Sequence, residues 1–305
     1  MLRKFMICTL LMTFLLTSLV SAQSFQELTV LDKTTAAEKI IYGSDQTGSL
    51  IERANKMEQD LFGDTTSDAL TARLDIIYAY LTENSSTSPS FQSKVNAVEW
   101  TINHNVTAQP AKSKIENMEL TLLGNSETGN LDDRADKLAQ IAYPGGQINV
   151  SPTTVYQDTL IKIKTVTELD SRKNRVGDSV VYQTAEDVSS NGLLVIPQGT
   201  LGSGKITKVR QSRNFGRDAV LEVSFDDITA FDGSLIQTEM GDKAKEETKS
   251  LVKAAGASVA GIALLGPIGV VGGAFIRGSD ITIPAGTELY IQVKADASVY
   301  GLQID

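Results

Sequence analysis

EKIIYGSDQTGSLIERANKMEQ (residues 38–59) and ELTLLGNSETGNLDDRADKLAQ (residues 119–140) are one unit written twice in this chain. They agree at Gly43/Gly124, Thr47/Thr128, Gly48/Gly129, Leu50/Leu131, Arg53/Arg134, Ala54/Ala135, Lys56/Lys137 and Gln59/Gln140. A further copy overlaps the first, with Glu58, Leu61, Phe62, Gly63, Leu70 and Arg73 in the matching places. Similarity at a fixed period marks a supersecondary unit that is stacked on itself.

The unit reads as helix, glycine stop, short turn, helix. Leu50, Ala54, Met57 and Leu61 fall at i, i+4, i+7 and i+11, one face of a helix, and Leu70, Leu74, Ile77 and Leu81 repeat the spacing. Gly63 stands where a helix end takes a left-handed residue, and Ser67 or Asp68 is placed to cap the next helix. Further helices are predicted over 90–103 and 111–123, with the polar loop ENSSTSP (residues 83–89) before them. The recurring Arg53, Arg73 and Arg134, with Glu38, Glu58 and Glu119, have two readings. They form a ligand-reading surface on the helical repeat, or each Arg pairs with a Glu or a terminal carbonyl of its neighbour and locks the hairpin.

After Tyr143 the period changes from 3.6 to 2. Residues 160–166, 180–188, 205–210, 220–225 and 289–294 alternate as strands, separated by Gly- and Asp-rich turns at 176–178, 190–192 and 231–233. Two near-copies, IPQGT (196–200) and IPAGT (283–287), place Pro where φ is fixed and Gly two residues on, as a tight corner between strands requires. Helices followed by short strands predict an α+β chain. Its expected parts are helical-hairpin repeats over 23–145, a linker over 146–158, a small antiparallel barrel or sandwich over 159–296, and a tail over 297–305.

One segment stands apart. AAGASVAGIALLGPIGVVGGAFI (residues 254–276) carries no charge, and Lys253 and Arg277 flank it at the end of an insertion spanning 243–277. Small residues recur four apart (Ala254/Ser258, Ala257/Gly261), a spacing that lets helix backbones approach closely in lipid. Gly266 and Pro267 break the stretch in two. Three readings stay open: a hairpin in or on a membrane, an oligomer contact, or a glycine-rich cap over the barrel. The candidate contact residues, for membrane or subunit, are Gly256, Gly261, Leu264, Leu265, Pro267, Gly269, Val270 and Gly272.

Residues 1–22 read as a secretory leader, with basic Arg3 and Lys4, an apolar run over 5–16, and Val20 and Ala22 before a cut at Gln23. The chain has a net charge of −9; without the leader, 26 Lys/Arg oppose 37 Asp/Glu, a net charge of −11, and no Cys remains. That acidity argues against nucleic acid, whose binding needs a basic footprint. One Cys and one His exclude thiolate zinc sites and histidine cages, and no metal or cofactor is expected.

The order of pieces in the second half resembles the C-terminal β-barrel domain of TrbI-like conjugation and type IV secretion proteins. The matching residues are Val176–Asp178, Asp187 and Val188, Gly192 to Thr200, Gly204, Asp232 and Gly233, the hydrophobic insertion, and Ile283 to Leu289, within Thr159 to Asp296. The resemblance implies the barrel fold and, in that family, an insertion that forms an outer-membrane channel when many copies assemble. The helical half resembles repeats in uncharacterised bacterial envelope proteins, which implies location alone. This chain has a leader and helical repeats where the barrel family has an inner-membrane helix and a proline-rich linker.

Residues 199–205 (GTLGSGK) fit the G-x4-G-K spacing of a phosphate loop, but Ile206 replaces the Ser/Thr and a strand pattern follows. His104 sits near a helix end and reads as a cap. Asp226, Asp227 and Asp232 are a weak calcium candidate without the EF-hand spacing. No nucleophile elbow occurs. The expected function is therefore a non-enzymatic, exported protein of the bacterial periplasm or outer membrane. Its helical module serves as adaptor or oligomerisation element, and its barrel insertion meets the outer membrane, an envelope protein or sister subunits. A secretion-channel subunit and an envelope hydrolase with paired carboxylates are the alternatives.

Overall fold

The computed structural model describes residues 28–85, 87–212, 219–254 and 280–304. Among these, six α-helices precede the first strand: α1 (Val30–Tyr42), α2 (Leu50–Phe62), α3 (Leu70–Thr82), α4 (Phe91–Asn103), α5 (Ala111–Leu123) and α6 (Leu131–Ala142). Local chemistry sets most of their ends. Thr29 with Asp32 and Ser49 with Glu52 close reciprocal capping boxes, and the side chains of Ser90 and Asn130 cap α4 and α6. Gly43, Gly63 and Gly124 end α1, α2 and α5 at φ near 80°, the left-handed conformation that costs a residue without Cβ least. His104 ends α4 in the same conformation at φ 48°. Neither Ser67 nor Asp68 caps α3; its N-cap is Ala69, with no side-chain bond. The helix starts where Arg73 comes opposite Glu58, and that pairing outweighs a better cap.

The apolar stripes close on one another. Ile41, Met57, Leu61, Leu74, Ile77, Leu81, Phe91, Ile115 and Leu138 are fully interior. Each such side chain contributes about 1.5–3 kcal/mol relative to exposure.

The strands are β1 (Val150–Val155), β2 (Leu160–Thr165), β3 (Leu169–Asp170), β4 (Ser179–Thr184), β5 (Val188–Ser190), β6 (Leu193–Ile196), β7 (Leu201–Arg210), β8 (Val220–Thr229), β9 (Leu235–Glu239), β10 (Thr282–Ile283), β11 (Glu288–Val293) and β12 (Ala297–Gln303). A helix, α7 (Asp242–Ala254), follows β9. The strands in the order β11-β2-β4-β7-β8-β9 form a closed antiparallel barrel. Alternation fills it with Ile161, Ile163, Val180, Tyr182, Ile206, Phe225, Ile236, Leu289 and Ile291. A Cβ at Gly202 would overlap the Tyr182 ring, so glycine is what lets that ring lie inside. The two IPxGT corners are built alike. Thr184 donates its hydroxyl to the Pro197 carbonyl (2.7 Å) and Thr165 donates its hydroxyl to that of Pro284 (2.8 Å). Gly199 and Gly286 return their amides to the carbonyls of Thr184 and Thr165.

Within the stretches expected to be a linker (146–158) and a tail (297–305), residues 150–155 and 297–303 are paired strands. Val150 lies opposite Leu302 and Val155 opposite Ala297, and a second sheet runs β1-β12-β6-β5. This sheet sits between two cores. Val150, Leu194 and Leu302 join the helical core, whereas Val155, Val195, Ile196 and Val299 join the barrel core. The polar stretch SPTT (151–154) shows no apolar alternation, so its strand character comes from β12 alone.

The registers give the barrel two ends. Thr165 lies level with Tyr182, Ser179 with Lys205, and Arg210 with Val220. One end therefore carries the 166–178 loop, the end of β7, the start of β8 and the residues entering β10. The opposite end meets the helices. There Asn96 Nδ2 donates to the Phe231 carbonyl (2.8 Å), Val106 N to the Gln198 carbonyl (2.8 Å) and Trp100 Nε1 to Asp187 (3.0 Å).

Leu302→Ala is expected to lower the unfolding free energy by about 2–5 kcal/mol, measured by urea denaturation. Fluorescence of Trp100 and far-UV circular dichroism should report one shared midpoint, because one sheet serves both cores. Two separated midpoints in the parent chain would refute that coupling.

Candidate functional site

The repeated acid and base residues meet in pairs. Glu38 takes a two-pronged bond from Arg53 (both 2.7 Å), Glu58 from Arg73 (2.9 and 2.6 Å), and Glu119 from Arg134 (2.8 and 2.7 Å). Each Glu is the ninth residue of its helix and each Arg the fourth residue of the next. The same carboxylates accept the loop amides of Gln46, Thr66 and Glu127 at 2.9–3.1 Å. Glu38 is wholly inaccessible, and Arg73 and Arg134 are buried. Arg53, Arg73 and Arg134 are thus brought together with their repeat glutamates between helices, and the guanidinium groups are occupied there. Burial pushes the Glu58 and Glu119 carboxyls up, but their Arg partners and loop donors outweigh it, so both lie below the ordinary glutamate value.

A fourth pair has the same geometry. Glu99 is the ninth residue of α4, Lys114 the fourth of α5, and their charged groups are 2.8 Å apart. Glu99 also accepts the Thr107 amide and hydroxyl. Sequence comparison on Gly and Arg passes over this copy because His104 and Lys114 stand in their places, although the fifteen-residue spacing is kept. The change has a structural result. Lys114 also donates to Asn96 Oδ1 (2.7 Å), and Asn96 spends its amide on the Phe231 carbonyl of the barrel. Burial lowers the Lys114 pKa, and Glu99 only partly restores it. Beside this network a cleft of about 360 Å³ opens between helices and barrel, lined by Lys39, Gln92, Asn96, Gln109, Thr200 and Thr229 among others.

The other candidate lies along the β11 wall of the barrel and at its far end. Helix α7 is fastened along β11: Ala244 N donates to Gln292 Oε1 (3.1 Å), and Tyr290 N donates to Thr248 Oγ1 (2.9 Å). Ala244 and Thr248 are buried against the wall. A Cβ at Gly241 would overlap the Gln292 amide, so the approach to α7 also depends on glycine. Beyond the insertion, Asp280 accepts the Ser212 amide (3.0 Å) and hydroxyl (2.9 Å), and Ile281 exchanges two bonds with Ser171. Gly256, Gly261, Leu264, Leu265, Pro267, Gly269, Val270 and Gly272 lie outside the described residues, as does the leader. No helix among the described residues is long and apolar enough to cross a membrane.

The remaining sequence candidates are placed as follows. Residues 201–205 continue as β7, with no helix to cradle a phosphate. His104 is the left-handed end of α4, its ring edge-on to Trp100. Asp232 accepts the amides of Ser234 and Tyr300, and Asp227 accepts the Ser203 hydroxyl. Among the described residues no group of three or more His, Cys, Asp or Glu could hold a metal ion.

No protein-family model matches the chain, and no curated protein matches it. Among solved structures, that of ComB10 of the Com type IV secretion system of Helicobacter pylori is similar at 15% identity. The likeness covers 47% of this chain and 88% of that one, with a TM-score of 0.27.

Arg73→Ala is expected to cost about 3–5 kcal/mol, because Glu58 would be left buried without its counter-charge. Glu58 and Glu119 hold protons less tightly folded than unfolded, so the unfolded state binds more protons in acid. Their contribution is complete above the unfolded value of about 4.3 and is lost as pH falls through the folded values. Urea midpoints from pH 7 downward should therefore drop less steeply in the Arg73→Ala chain than in the parent; parallel curves would contradict it.

Proposed function

We propose that this chain is an exported, non-enzymatic protein of the bacterial cell envelope. Its helical module acts as an adaptor, and its barrel presents the charge-free 254–276 segment to an outer membrane or to sister subunits. One observation carries the reading: the described stretch before the segment runs along the barrel wall toward the end opposite the helices, and the stretch after it is fastened at that end. Thr248 and Gln292 hold α7 to the wall before the segment, and Ser171 and Ser212 hold Ile281 and Asp280 after it. An uncharged stretch of this length gains free energy wherever it finds an apolar surrounding, and a two-sided anchor sets the direction in which it meets one. The leader-like residues 1–22 support export, and the acidic composition supports a partner other than nucleic acid.

The test is fractionation of cells expressing the full chain and a chain whose residues 254–276 are replaced by a short Gly-Ser linker. The parent should sediment with envelope membranes or a large complex. The replaced chain should be released, with cooperative urea unfolding intact. Equal partitioning of the two overturns the proposal.

A further inference from the structure

The loop between β3 and β4, beside the point where the chain returns from its charge-free segment, is folded rather than merely exposed. Buried Asp170 accepts the Arg172 amide (2.8 Å) and both Nε (3.2 Å) and Nη2 (2.9 Å) of its guanidinium. The Asp170 amide donates to Asn174 Oδ1 (2.8 Å), and the Asp170 carbonyl accepts the amides of Lys173 and Asn174. Asp178 accepts from Asn174 Nδ2 (3.2 Å) and the Arg175 amide (2.9 Å), and Gly177 N donates to the Ile206 carbonyl of β7 (2.8 Å). The polar groups of the turn are thus spent inward. What is left facing water is Arg172, Lys173, Arg175 and, at the tip, Val176 at 64% exposure.

Neighbouring elements add to this face. Gln211 Nε2, just past β7, donates to the Arg172 carbonyl (3.3 Å), and Lys205 and Lys208 are exposed along β7. Carboxylates are present too. Asp280 approaches Arg172, Glu168 pairs with Lys173, and Glu222 pairs with Lys208. Such pairs on exposed side chains are weak and exchange readily for other anions. The opposite end differs: residues 28–145 carry 17 Asp/Glu against 10 Lys/Arg. A chain so polarised approaches an acidic surface barrel-end first.

We propose that this end of the barrel docks on a bilayer surface bearing acidic phospholipids. Lys173 and Arg175 meet the headgroup phosphates and Val176 enters between them, while Arg172 stays on Asp170. The inference deepens the reading of 254–276 as the membrane-contacting element and rests on it. Each basic side chain at an acidic lipid surface strengthens binding about fivefold, and salt weakens the effect. A bilayer is favoured over a protein groove because the apolar side chain stands singly at a tip with cations around it. That arrangement suits an interface whose charge lies outside its apolar layer.

Co-sedimentation of the chain from Gln23 onward tests it, using vesicles of phosphatidylcholine alone and vesicles partly replaced by phosphatidylglycerol. The parent should prefer the acidic vesicles, and raised salt should reduce that preference. The double substitution Lys173→Glu, Arg175→Glu should cut acidic-vesicle binding more than about tenfold, with phosphatidylcholine binding and the urea midpoint unchanged. Charge reversal at Lys56 and Lys137 on the helices should change nothing. Equal binding of parent and loop variant, or no preference for acidic vesicles, overturns the docking. If that happens while the linker-replaced chain loses all vesicle binding, the segment reading survives alone. Loop-dependent binding that persists without the segment upholds the docking and removes the segment from it.

Discussion

Leu194 and Val195 are consecutive residues that belong to different hydrophobic cores, and Val299 and Leu302 of the neighbouring strand divide in the same way. This division is the constraint on which the two halves of the molecule depend. Successive side chains of a strand point to opposite faces, so the β1-β12-β6-β5 sheet can serve helices on one face and the barrel on the other. The chain has a single Cys and therefore no internal disulfide to do this work. Sliding β12 by one residue would exchange both sets of side chains, so the same alternation that joins the cores also specifies their register.

Within the helical half, the recurring acid–base pairs set how helices meet more than they add net stability. A buried ion pair regains in attraction roughly what it loses in desolvation, but a misaligned one is left with an uncompensated charge. Two-pronged Arg–carboxylate bonds hold both orientation and distance. Each glutamate also ties down the loop that follows it, so a single side chain fixes helix, turn and next helix together. Where Lys114 replaces Arg, the spare capacity of the pair passes to Asn96 and from there to the barrel. The irregular copy of the repeat is the one that touches the other half.

The molecule that results has two unlike ends. Acidic helices occupy one, and the fastened return from the charge-free segment and the cationic loop over 172–176 occupy the other. This polarity follows from strand register and from where one short polar anchor, Ser171, falls on it. It gives the proposed envelope role a direction: the adaptor projects away from the surface that the barrel meets.

The helices, apart from the start of α3 at Ala69, where neither Ser67 nor Asp68 caps, were legible from residues alone, because a glycine stop and the i, i+4 stripe are local interactions. Alternation in 160–165 and the two IPxGT corners were legible for the same reason. The strand at 150–155, its partner at 297–303 and the fourth pair, Glu99 with Lys114, were not. Ser151 to Thr154 carries no pattern of its own, and Lys114 departs from the Arg that marks the other copies. Their roles come from partners more than a hundred residues away or from a neighbouring helix's geometry. Sequence by itself therefore determined the helices and the alternating strands, since each needs only its own few residues. Tertiary structure alone decided how they share two cores and which end of the barrel faces away from the helices, since burial and pairing reward contacts between segments that no local pattern records.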